Sequence, residues 1–142
     1  MAFVRILIVD DFASWRLCAA RLLQSEPDLQ VICQAADGLE AVEKSAALQP
    51  DLILLDIGLP NLNGLEAARQ ISKIAPASKI LFVTENGCQE LARVALSTGA
   101  LGYLLKSDAA TELLPAVRAV LAGQQFVSPT IAGTQSSDSG RT

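Results

Sequence analysis

Apolar residues along this chain follow two alternating rhythms. Five short, nearly unbroken runs are each followed by a longer stretch whose apolar residues recur every three or four positions. The runs are Val4 to Val9 (interrupted only by Arg5), Leu29 to Gln34, Leu52 to Leu55, Lys79 to Val83 and Gly102 to Leu105. Continuous apolar runs of this length fit strands buried on both faces, as in the middle of a parallel sheet. The stretches between them predict helices over about 12–25, 37–48, 63–75, 88–97 and 108–122. In the first, Trp15, Cys18, Ala19, Leu22 and Leu23 share one face.

The punctuation agrees with these boundaries. Asp37-Gly-Leu-Glu40 and Asn63-Gly-Leu-Glu66 both have the form of a capping box, with Asp or Asn as the cap. Asp11 and Asn86 stand where they could cap the first and fourth helices. Pro27 and Pro76 stop two helices, and Gly99 and Gly123 follow two others. Pro115 disturbs the last helix, because it has no amide to donate to the carbonyl of Thr111. Either that helix begins as late as Thr111, or its ladder lacks one bond.

Strict alternation of five strands and five helices implies an α/β fold, a parallel sheet covered by helices on both faces. Right-handed crossovers leave few arrangements, and the expected one is a doubly wound five-stranded sheet in the order 2-1-3-4-5. One domain, 1–123, accounts for the pattern. The tail, 124–142, opens with a short extended piece at Gln125-Phe-Val and ends in Ser-, Asp- and Gly-rich residues that are expected to be disordered.

Composition narrows the field. Apolar residues make up 51% of the 142, enough for a sizeable core. The net charge of −4 argues against nucleic-acid binding through bulk charge, and the arginines are scattered as on a solvated face. With no histidine, Ser-His-Asp catalysis and His-ligated zinc are excluded. Cys18, Cys33 and Cys88 lack metal spacing, fall within predicted elements, and are expected to act as small hydrophobes in a reducing, cytoplasmic setting. No apolar run reaches membrane-spanning length.

The chemistry gathers at strand ends. The first strand ends at Asp10-Asp11, the third at Asp56, the fourth at Thr84 and the fifth at Lys106. In the expected order the first and third strands are neighbours at the switch point, where open α/β sheets bind ligands. Three carboxylates there resist joint ionisation unless a cation is present, and Mg²⁺ suits an all-oxygen set. A lysine and a hydroxyl alongside can neutralise and donate to a phosphoryl group. Carboxylate nucleophile, metal, lysine and hydroxyl together point to phosphoryl transfer through an aspartyl phosphate. Each residue alone has a plainer role: turn or cap acids at 10, 11 and 56, a strand end at Thr84, a surface lysine at 106. Their convergence on one edge outweighs those roles.

The chain resembles the receiver domain of bacterial two-component response regulators, a flavodoxin-like fold. The resemblance rests on Ile6-Leu-Ile-Val-Asp-Asp11, Leu54-Leu-Asp-Ile-Gly-Leu-Pro60 with Asn63-Gly64, Val83-Thr84, and Gly99-Ala-Leu-Gly-Tyr-Leu-Leu-Lys106, and covers Val4 to about Gly123. It implies that Asp56 is the phosphoacceptor and that a sensor histidine kinase or phosphotransfer protein is the donor. It implies Mg²⁺ held by Asp11, Asp56 and the backbone carbonyl of Gly58, with Asp10 acting mostly through water. Thr84 and Tyr103 would be a switch pair, altering the face built from the fourth helix, fifth strand and fifth helix. The resemblance also leaves room for a phosphorylation-dependent homodimer.

Ala36-Asp-Gly-Leu-Glu-Ala-Val and Ala122-Gly with Ser128-Pro129 are most similar to receivers that precede a LuxR-type DNA-binding domain. Only thirteen residues follow Pro129, so a stand-alone receiver signalling by protein contacts is expected, without direct DNA binding and without an enzymatic activity beyond its own phosphorylation and dephosphorylation. Two further departures, Glu85 directly after the switch threonine and Gly58 two after Asp56, border the phosphoryl site. Glu85 keeps open a receiver-like scaffold that is never phosphorylated; an effector on a separate chain is a further alternative. An aspartate-nucleophile phosphatase would want a second acid where Gly58 stands, and a nucleotide or flavin binder a glycine-rich loop where Asp10-Asp11-Phe12 stands.

Overall fold

The computed structural model describes residues 3–85 and 87–131. Strands β1 (Val4–Val9), β2 (Leu29–Ala35), β3 (Leu52–Leu55), β4 (Lys79–Thr84), β5 (Gly102–Leu105) and β6 (Phe126–Val127) form one sheet, ordered β2-β1-β3-β4-β5-β6. Every neighbouring pair is parallel. Helices α1 (Ala13–Gln24), α2 (Gly38–Leu48), α3 (Gly64–Ile74), α4 (Gln89–Ser97) and α5 (Ala109–Leu121) alternate with the strands. A 3-10 turn, Lys106–Asp108, joins β5 to α5.

Period-two alternation along the buried strands supplies both cores at once. Leu7, Val9, Ile53, Leu55, Ile80 and Phe82 point to one side, where they meet Ala41 of α2, Ala67, Ala68 and Ile71 of α3, and Ala92 and Ala95 of α4. Ile6, Ile8, Leu52, Leu54, Leu81 and Val83 point to the other and meet Ala19 and Leu23 of α1 and Leu113, Val117 and Val120 of α5. Small residues on the helices let them sit close to the sheet. Both expected caps form: Asp37 accepts from the Glu40 amide at 2.8 Å, and Asn63 from the Glu66 amide at 3.0 Å.

Three expectations need correction. The sheet has six strands and not five, because the extended piece in the tail pairs with β5: Gly102 lies opposite Phe126, and Tyr103 opposite Val127. That strand falls where the sequence placed a short extended piece, and the Ser-, Asp- and Gly-rich residues expected to be disordered lie outside the described residues. Asp11 does not cap α1; Phe12 holds the cap position, and the Asp10 carboxylate takes the Phe12 amide instead, at 2.9 Å. Two of the three cysteines do not act as buried hydrophobes, whereas Cys33 packs against the core on the α2–α3–α4 side. Cys18 and Cys88 are exposed and Cys33 is half-buried, with Cys88 Sγ capping α4 by accepting from the Leu91 amide at 3.3 Å. The cap expected at Asn86 lies outside the described residues. Pro115 sits inside α5, which begins at Ala109, so the ladder does lack a bond there; both Pro115 and Thr111 are on the exposed side, where water can serve the carbonyl.

Candidate functional site

Register decides which side chains can meet. Val9 pairs with Leu55, so Asp10 and Asp56, each one residue further on, leave adjacent strands side by side. Leu55 pairs with Phe82, and Thr84 with Leu105, so Thr84 and Lys106 close the same edge from the other flank. Helix α3 begins directly behind this edge. Gly64 lets it do so: a Cβ there would fall 2.0 Å from the carbonyl oxygen of Asp56. The Gly64 amide donates to the carbonyl of Ile57 at 2.7 Å, which fixes the turn after β3.

Asp10, Asp11 and Asp56 each present one carboxylate oxygen within 4.8 Å of the others. Asp10 is fully buried, Asp56 is 7% exposed, and Asp11 faces solvent. The Asp56 carboxylate is oriented through Oδ1, which accepts from the Ile57 amide at 2.8 Å. Its Oδ2 lies 3.6 Å from Lys106 Nζ, while Asp10 Oδ2 lies 2.6 Å from the same ammonium. Asp10 Oδ2 is buried with the Lys106 ammonium as its neighbour.

Electrostatics follow burial. Burial raises the Asp10 pKa, and the Asp56 charge adds to it; Lys106 and the Phe12 amide pull the other way without prevailing. For Lys106, burial acts to lower the pKa, but Asp10, Asp56 and Glu85 together hold it above its ordinary value. The ammonium is thus charged at neutral pH beside the buried Asp10. Asp11, Phe12, Asp56, Gly58, Thr84, Glu85 and Lys106 line an open cavity of about 250 Å³ above these groups.

Every residue expected at the site, apart from Tyr103, therefore stands at this edge. Tyr103 sits one strand away, fully buried against α4, and burial foremost pushes its hydroxyl pKa up to about 12. Gly58 has open space where a side chain would go. The sequence had not singled out Arg16 or Phe12. Arg16, expected on a solvated face, is partly buried: its Nη1 donates to the Asp10 carbonyl at 2.6 Å and its Nε to Gln34 Oε1 at 3.0 Å, bracing β1 against β2. The Phe12 and Trp15 rings stand over Lys106 Nζ, at 5.6 and 5.3 Å to their centroids. A one-dimensional pattern carries no signal for contacts between α1 and the end of β5.

A doubly wound sheet with three acids, a threonine and a lysine at its switch-point edge defines a class of α/β domain built to handle a small anionic group. The chain belongs to the response regulator receiver domain family, whose pattern matches residues 6–118. It is 38% identical over 131 residues to the response regulator GacA of Pseudomonas viridiflava, covering 91% of this chain and 60% of that one. A LuxR-family two-component response regulator from Aurantimonas sp. SI85-9A1 superposes with a TM-score of 0.88 at 36% identity, covering 93% of this chain and 94% of that one. The response regulator domain of Thermotoga maritima CheB gives 0.79 at 36% identity, covering 84% and 97%. The chain spans about 60% of the length of the curated relatives it matches. Among the described residues, no helix is long and apolar enough to cross a membrane.

Proposed function

We propose that this receiver accepts a phosphoryl group on Asp56, from a sensor histidine kinase or phosphotransfer protein in a Mg²⁺-dependent reaction, and signals by altered protein contacts. The observation that carries it is the setting of Asp56: a nearly buried carboxylate, held by one backbone amide, opening on a cavity with an ammonium and two further acids in reach. The donor set fits Mg²⁺. All the side-chain donors are hard carboxylate oxygens, Asp10 Oδ2 is buried with a lone pair to spare, and Asp11 keeps an open side for water. Asp11, Asp56 and the Gly58 carbonyl would hold the ion, with Asp10 behind. Bound there, it would neutralise charge on the incoming phosphoryl oxygens.

The chain's own residues do the rest. An Asp56 oxygen attacks phosphorus; a P–O bond forms, the donor's bond to phosphorus breaks, and its electron pair leaves with the donor. Lys106 transfers its attraction from Asp10 towards the new phosphoryl oxygens, and the Thr84 hydroxyl supplies a donor on the other flank. Tyr103, buried between β5 and α4, carries the change to that side of the domain.

Intact-mass measurement with acetyl phosphate tests this. Wild type with Mg²⁺ gains one phosphoryl group, and omission of Mg²⁺ or Asp56→Asn abolishes the gain. An equal gain in Asp56→Asn would place the acceptor elsewhere.

A further inference from the structure

The Phe12 and Trp15 rings have a relation to Lys106 that core packing does not explain. Phe12 belongs to neither core cluster, is 56% exposed, and occupies a helix cap position without capping. Serine, threonine, aspartate or asparagine would serve that position better. Trp15 is half-buried against the α1–α5 core, yet its ring also reaches the ammonium. Lys106, directly after β5, has a side chain only 10% exposed, with both rings near its ammonium. The rings line, with Ser14, Cys18, Glu85 and Lys106, a cavity of about 410 Å³ that shares Phe12, Glu85 and Lys106 with the acceptor cavity.

We propose that Phe12 and Trp15 are positioning residues that hold the Lys106 ammonium between Asp10 and the phosphoryl site, a role that rests on Asp56 being the acceptor. A ring face attracts a cation without using up any N–H donor and without a strict direction. The ammonium therefore keeps its three donors for oxygen ligands. It can slide from Asp10 towards a phosphorylated Asp56 with the same aromatic surface behind it. The ring faces also take the place of water over part of the ammonium, so the attraction between Lys106 and developing phosphoryl charge is less screened. A lysine with one side in water would pay a desolvation cost at each turnover of the switch.

Phe12 is the cleaner test, because its exposure lets Phe12→Leu keep the fold. In wild type, the Lys106 ε-methylene protons should show upfield ring-current shifts in NMR. Phe12→Leu and Trp15→Leu should move them towards ordinary lysine values and slow loading of Asp56 by acetyl phosphate by about threefold to tenfold. Phe12→Tyr, which keeps the ring face, should restore both the shift and the rate. Ordinary lysine shifts in wild type would overturn the proposal, as would a Phe12→Leu loading rate equal to wild type, or a Phe12→Tyr as slow as Phe12→Leu. The ring-current measurement needs no phosphoryl group, so it separates failure of this proposal from failure of Asp56 to be labelled at all.

Discussion

At the scale of single residues, the positions bordering Asp56 set how quickly the group arrives and how long it stays. Glu85 is exposed and lines the acceptor cavity, close enough to Lys106 to raise its pKa. Its carboxylate repels a dianionic donor, but solvent and salt screen the repulsion. Glu85→Ala should therefore speed loading by acetyl phosphate only a few-fold, and only at low ionic strength. Gly58 meets nothing within 4 Å where its Cβ would be, so Gly58→Met should fold normally and cover the approach of water to the acyl phosphate, lengthening its lifetime. Loading and decay rates at two salt concentrations check both; a salt-independent effect of Glu85→Ala would mean that its influence is steric. These acids, the threonine and Lys106 were legible because strand ends are legible: one residue past an apolar run is a position in space once the strand order is known. Arg16, Phe12 and Trp15 were not, since their partners lie on other elements and no periodicity records them.

At the scale of elements, the two capping-box helix starts were readable in the chain, and the one at Asp37 is also acid-sensitive. The Asp37 carboxylate is held below its usual range, first by the Glu40 amide and then by the Asn61 side chain. Glu40 is lowered too, chiefly by the Ala36 amide that its side chain reaches back to, at 2.6 Å. In both, the folded pKa lies below the unfolded one, so their contribution is complete above the unfolded value near 4 and is lost as pH falls through the lower folded value. The urea midpoint should drop below about pH 4, and the gap between wild type and Asp37→Asn should narrow over the same range. A gap that stays constant would mean that Asp37 acts only as a neutral cap. Element types could be inferred because propensity, capping and burial agree here. Pro115 was undecidable from the chain alone: a missing ladder bond is tolerable only if its orphaned carbonyl faces water, and that depends on which side of α5 the core takes.

At the scale of the whole molecule, the unexpected feature is the closing segment. β6 continues the sheet, the Ser128 amide donates to the Tyr103 carbonyl at 2.8 Å, and Ser128 Oγ accepts from the Leu105 amide at 3.2 Å. The same hydroxyl donates to Asp108 Oδ2, and Thr130 donates to Asp108 Oδ1 at 3.2 Å. Ile131, 4% exposed, packs in the core cluster that holds Tyr103 and α4. Ser128→Ala strips a buried amide and a carboxylate of their partner at once, and should cost about 1–3 kcal/mol in urea unfolding. An unchanged midpoint would show that the segment is only laid against the domain. The sequence marked an extended piece here, but two residues of strand do not say which edge they pair with, and a buried serine before a proline looks like any turn.

That segment also decides where residue 131 lies relative to the lysine turn. Were residues 124–131 loose, their end would wander over a radius of about 15 Å from Gly123, and any neighbour would meet it at a diluted local concentration. Pinned through Asp108, two residues beyond Lys106, the point of exit is instead a fixed coordinate of the fold. A displacement of the lysine turn would therefore carry residues 128–131 with it, because the same two hydroxyls tie them to Asp108.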